Sequence, residues 1–440
     1  MNPVVLVVGA VLSPLVIAYL VACFRDPLRY ALPPYVVLIP FGKAFAILPG
    51  TFGGASSLTG VLLGVTLLAQ LVTTKRGGAS LPLAVPVWLA FLALSGFSLF
   101  WTITPSGTFQ DWEILASQVL LFAALVLTRF DERTLRLFAS SVVASGIAVV
   151  GYGLVQLTLL GGLPGKVTGP GNGPPRFGDD LLGANNMAAA LLLPLAIAAN
   201  RAMSESGRSR WFHGGVVLLV LFGVLMTGSR GGLLSSVVVL AAVLWLSIAP
   251  RMLKVVTGIG GVVVLVLALV FQPGGFGARQ VDNGTSSSGR TDIWAVGANA
   301  CHEYCLFGAG WGAFPEVYAE QLTSTTQARI QERGSTFEPH NIFLLALIEL
   351  GLPGLVLLIV GLAVSLASAL RLPAAMRAPP VAALLGTIAS SFFLSNMKFK
   401  FFWIVLAYIA VSETVAAASR ARQRSALPTV NRLVPTERRP

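Results

Sequence analysis

Apolar runs of about 17 to 25 residues, the length that crosses a bilayer as a helix, recur along the chain between short polar or basic joints. They fall at 3–24, 30–50, 56–74, 81–101, 110–128, 135–160, 185–202, 213–229, 231–249, 252–271, 341–369, 378–396 and 399–419. Each predicts a membrane-spanning helix, because barrel strands would be shorter and would alternate polar with apolar positions. Pro33, Pro34 and Pro40 interrupt the run at 30–50, and the last two runs lie close enough to form one bent element. The pattern breaks at 272–340, which is too long and too polar for a hairpin. Loops of that length are functional or disordered. Within it, "RTDIWAVGANACHEY" and "FPEVYAEQLTSTTQARIQER" predict helical order.

Four regions follow: a first bundle of about ten helices over 1–271, the polar loop 272–340, further helices over 341–419, and a basic tail at 420–440. The tail has the composition of a disordered segment that meets anionic lipid. The expected fold is an all-α polytopic membrane protein with about 12–13 transmembrane helices and a large, partly helical outer loop.

Composition agrees with that pattern. Of 440 residues, 55% are hydrophobic and 11% charged, against about a quarter charged in soluble domains. The net charge of +12 needs no nucleic-acid partner, and no nucleic-acid-binding motif is present. Basic clusters at Arg25/Arg29, Lys75/Arg76, Arg129/Arg133/Arg136, Arg201/Arg208/Arg210, Arg251/Lys254, Arg371/Arg377 and the C-terminal arginines are separated, pair by pair, by two spans. All can therefore face the cytoplasm, where Lys and Arg accumulate. The N-terminus lacks the basic start and cleavage site of a signal peptide, so 3–24 reads as a retained span. Cys301 and Cys305 are either two thiols on a helix or a local disulfide outside the cytoplasm. The haem-attachment order is absent, and no cofactor or metal is implied.

The same map leaves Lys43, Lys166, Arg176, Arg230, Arg279, Arg290, Arg329, Arg333, Lys398 and Lys400 on the outer side. They run against the topological bias, and a phosphate-bearing ligand accounts for them, since guanidinium forks bind phosphate oxygens bidentately. In "TGSRGGLL" (227–234), Arg230 lies between two apolar helices with glycines beside it, where a backbone or ligand can come close. In "SSSGRTDIW" (286–294), Arg290 starts a helix, a position tolerable when the residue shares an anion with the free N–H groups. Further candidate substrate contacts are Arg176 and Asn186 in "RFGDDLLGANN", and Lys398 and Lys400 in "NMKFKFFW", where phosphate or lipid headgroups would meet the lysines. "GAGWGAF" (308–314) reads as a packing turn.

"EPHNIFLLALIELGLPG" (338–354) places His340 and Asn341 where the polar loop enters a helix. A helix N-terminus and nearby arginines disfavour imidazolium. Neutral histidine suits a general base near neutral pH, with Asp111 and Glu113 as alternatives. Asn341 adjoins it as a substrate contact, and Glu349, deep in the helix, is structural. Two arginines and a histidine on one side suit transfer of a group linked to a lipid pyrophosphate: the arginines offset the charge of the leaving group, and the histidine takes a proton from an attacking hydroxyl. No D-x-D metal cluster occurs.

In this order around an outer loop, "TGSRGGLL", "GRTDIW", "GAGWGAF" and "PHNIFLLALIELGLPG" resemble the O-antigen ligase and polymerase superfamily, over roughly residues 30–419. The resemblance implies a GT-C-like membrane glycosyltransferase of the bacterial inner membrane, active on the periplasmic side. It implies transfer of O-antigen glycan from undecaprenyl pyrophosphate to a sugar hydroxyl of lipid A–core, with inversion and without metal. Carried over by motif, Arg230 and Arg290 would bind pyrophosphate and His340 would be the base. The family divides into ligases, polymerases and protein O-glycosyltransferases; the compact length and intact "PHNIF" favour a ligase over the usually longer protein-glycosylating members, and a polymerase is the alternative. A flippase for the same lipid would need inverted repeats and ionisable residues at the midplane, whereas the polar residues here gather on one side.

Overall fold

The computed structural model describes residues 3–42, 45–49, 53–73, 81–159, 176–255, 258–259, 290–322 and 337–426. Their secondary structure is helical apart from one isolated antiparallel bridge, Ala46 to Gly54. Among the described residues seven helices are long and apolar enough to cross a membrane, and three shorter apolar helices accompany them. The chain is a multi-pass membrane protein.

The helices are α1 (Pro3–Arg25), α2 (Pro27–Tyr30), α3 (Leu32–Leu38), α4 (Ala55–Thr73), α5 (Ala84–Phe97), α6 (Pro105–Leu127), α7 (Glu132–Leu159), α8 (Ala184–Ala190), α9 (Leu192–Ser204), α10 (Gly207–Met226) and α11 (Arg230–Leu246). They continue as α12 (Arg290–Tyr304), α13 (Phe314–Gln321), α14 (Ile342–Leu370), α15 (Ala374–Ser391) and α16 (Lys400–Ala426). Eleven of the thirteen expected spans coincide with helices in this series. Of the run at 252–271, residues 252–255 and 258–259 are helical, and the rest lies outside the described residues.

The run at 30–50 is not a span. It forms α2, α3 and a short 3-10 turn at Ile39–Phe41, with prolines at the start of each piece. Proline lacks an N–H donor and disfavours a helical residue before it, so the segment folds as short buried pieces against α4 and α7. The last two spans are separate helices, α15 and α16.

At the centre lie α9 and α16. Helix α9 is flanked by α7, α10, α11 and α15. Small residues let these helices approach, as lipid-immersed packing requires: Gly146 of α7 meets Pro194, and Gly386 of α15 meets Val239 of α11. Helix α16 packs on α6 and α14, and Trp403 stacks edge-on against Trp88 of α5, ring centroids 5.2 Å apart.

Helix α14 is kinked. Gly351 has φ +69, a conformation an L side chain resists. Pro353 follows it and cannot donate to the helix ladder. The break admits the glycine-rich segment after α12. Ala309 N–H donates to Ile348 O (2.9 Å), Gly310 N–H to Glu349 O (2.8 Å), and Leu352 N–H to Cys305 O (2.8 Å). "GAGWGAF" is thus the packing turn its sequence implied. Cys301 and Cys305 are joined in a disulfide at the end of α12, so the thiol alternative is replaced by the bonded one.

Candidate active site

His340 sits in the turn that feeds α14. Its φ is +48, and it is the one non-glycine residue with positive φ among the described residues. Histidine tolerates this region better than bulky or branched residues, yet it remains uncommon, and such residues persist where their surroundings over-determine them. Three neighbours do so. Asn341 caps α14, its Oδ1 accepting from Phe343 N (2.9 Å) and Leu344 N (3.1 Å). Trp294 of α12 donates its indole N–H to Pro339 O at 2.8 Å. Glu338 Oε1 lies 3.5 Å from Lys398 Nζ. Burial lowers the proton affinity of His340 below the ordinary histidine value, the positive charge of Arg290 lowers it further, and Glu338 opposes them.

Arg290 is the first residue of α12 and is partly buried, which lowers its own pKa; a guanidinium still stays charged at any physiological pH. Its Cζ lies 6.0 Å from the centre of the Phe393 ring, close enough for a cation–π contact. Gly231 presses on the same ring from α11, where an added Cβ would come within 3.2 Å. Arg230, next to Gly231, is exposed at the first position of α11, and the hydroxyl of Ser229 caps that helix through Gly232 N. Phe393 therefore joins the two arginine-bearing helix starts, and the field of Arg290 reaches His340. The N-termini of α11 and α12 carry partial positive charge in addition to the guanidinium groups.

The other expected contacts have different surroundings. Arg176 donates through Nε to Thr227 O (2.6 Å) and through Nη2 to Asn185 Oδ1 (3.0 Å). It braces the turn that presents Arg230, and its side-chain partner is Asn185. Asn186 donates to Leu182 O at 3.2 Å, within the entry to α8. Lys398 is held between Asp111 Oδ2 at 2.5 Å and Glu338. Burial lowers its pKa, but Glu349, Glu338 and Asp111 outweigh burial and hold it above the ordinary lysine value. Lys400 donates to the hydroxyls of Ser56 (2.9 Å) and Ser57 (2.8 Å) at the start of α4. Glu349 is fully buried, and its Oε1 accepts from Phe314 N at 3.3 Å, consistent with a structural role. Lys43, Lys166, Arg279, Arg329 and Arg333 lie outside the described residues.

Lys398 and Lys400 are among the residues that line a cavity of about 940 Å³. Its walls are largely apolar and include Gly60, Gly64 and Leu68 of α4 and Leu120, Leu121 and Ala124 of α6.

Sequence reasoning missed Trp294, Phe393 and the Asp111–Lys398–Glu338 chain. The indole and the phenyl ring carried no signal beyond hydrophobicity. Lys398 was visible as a misplaced charge, but its carboxylate partners are 287 and 60 residues away in sequence.

Among the described residues no group of three or more His, Cys, Asp or Glu side chains is placed to hold a metal ion. No curated protein matches the chain. Residues 215–359 match the family model described as O-Antigen ligase. That stretch, about a third of the chain, runs from α10 through the kink of α14 and contains Arg230, Arg290, "GAGWGAF" and His340. Over this stretch the chain is similar to the O-antigen ligase family.

Proposed function

We propose that this protein is the ligase of lipopolysaccharide maturation, transferring O-antigen glycan from undecaprenyl pyrophosphate to a sugar hydroxyl of lipid A–core. The observation that carries the reading is the bond from Trp294 to Pro339, which sets the helix that begins with Arg290 against the turn of His340, where the charge of Arg290 lowers the proton affinity of the imidazole. Arg290 and Arg230 bind the donor diphosphate at the starts of α12 and α11. Neutral His340 accepts the proton of the acceptor hydroxyl as its oxygen attacks the anomeric carbon. The bond from that carbon to the diphosphate oxygen breaks, the electron pair leaves with the diphosphate, and configuration inverts. The arginines stabilise the charge growing on the leaving group, and preorganised charge of this kind contributes more where water is excluded.

The largely apolar cavity that Lys398 and Lys400 help to line has walls suited to lipid chains. With 30–50 not a span, Arg25/Arg29 no longer share a side with Lys75/Arg76, but the alternation of basic clusters from Lys75/Arg76 onward supports an active site on the periplasmic side of the inner membrane, with loop 272–340 on that side. Purified protein, undecaprenyl-pyrophosphate glycan and lipid A–core test the reading together. Formation of glycosylated lipid A–core, lost in His340→Ala, supports it. Glycan chain extension on the carrier with no product on lipid A–core assigns a polymerase instead.

A further inference from the structure

Lys398 ties three elements together. Its ammonium touches Asp111 on α6 and Glu338, two residues before His340, and feels Glu349 on α14. Asp111 is in turn backed by the glycine-rich segment, where a side chain on Gly312 would strike its carboxylate. A phosphate arriving at Lys398 would have to compete with two carboxylates already in place. His340 stands between opposed charges, Arg290 from α12 and Glu338 on its own segment.

Resting on the reading of His340 as base, we propose that Lys398, with Asp111, is a positioning residue: it fastens Glu338 to α6 and offsets its charge, leaving His340 neutral and Arg290 available to the diphosphate. Without Lys398, Glu338 is a half-exposed carboxylate beside a histidine and an arginine, and it would draw on both. The role differs from bracing in one respect. Removing Glu338 as well should cure the defect, because the offending charge goes with it.

The test uses the full chain in detergent, with transfer followed across pH for Lys398→Met, Glu338→Gln and the double variant. Lys398→Met should raise the acid limb of kcat/KM by about one pH unit, the size of effect an added neighbouring charge produces, and should raise KM for the donor. The double variant should return the limb to the parent position or below. Glu338→Gln alone should lower the limb, and it decides the matter if Lys398→Met does not fold. A double variant as impaired as Lys398→Met, or an unmoved limb in Glu338→Gln, overturns the proposal. Full transfer by His340→Ala instead removes the base reading itself, whatever Lys398 does.

Discussion

Trp294 donates its indole N–H to the carbonyl of Pro339 at 2.8 Å, fastening the helix that begins with Arg290 to the turn that carries His340. The residues therefore keep their spacing through a bond that neither of them makes. Trp294→Phe keeps an aromatic ring and removes the donor. A hydrogen bond of this kind is worth about 0.5–1.5 kcal/mol net. The variant should lose up to roughly tenfold in kcat through a loosened His340 turn, with KM for the donor little changed, as steady-state transfer kinetics will report.

Arg230→Lys and Arg290→Lys keep a positive charge and lose the planar fork. If both guanidinium groups grip diphosphate bidentately, kcat/KM should fall by roughly 10²-fold in each, within the range seen on removing one donor from a transition-state charge site. A lysine variant at full activity would show that charge alone suffices at that position.

The pH profile follows from the sign of the His340 shift. Its pKa in the folded protein lies below the ordinary histidine value of about 6.5 because burial and the charge of Arg290 disfavour imidazolium, and the reactive form is neutral. Activity is therefore full above that depressed pKa and is lost as pH falls through it. The acid limb of kcat/KM for the free enzyme should lie below about pH 6.5. A limb above that value would mean that imidazolium is favoured in the folded site.

Gly308→Ala tests the seat of the glycine-rich segment in the α14 kink. Gly308 has φ +82, and an added Cβ would strike the Glu349 backbone carbonyl. Conformations of this kind cost on the order of 1–3 kcal/mol for a non-glycine residue. The variant should unfold at a lower temperature in detergent, and its activity should fall with the fraction folded.

The spans were legible because bilayer-length apolar runs leave few alternatives, and the exception at 30–50 is where Pro33, Pro34 and Pro40 outweighed hydrophobicity. Arg230, Arg290 and His340, the residues of the proposed site, stood out for a different reason: polar residues at the joints between apolar helices contrast with their surroundings. Arg176, Lys398 and Asn341 stood out in the same way. Their surroundings are a carbonyl, a carboxylate pair and two backbone N–H groups. Charge and position along the chain could not distinguish a residue that meets a ligand from one that steadies its neighbour, because the partners come from distant helices.

The most direct measurement compares His340→Ala with the parent protein in single-turnover transfer from undecaprenyl-pyrophosphate glycan to lipid A–core, alongside donor binding to each. Loss of the chemical step by at least about 10²-fold, the lower range for a general base, with donor binding retained, is the predicted result. Undiminished transfer by a folded His340→Ala protein would contradict the account at its centre.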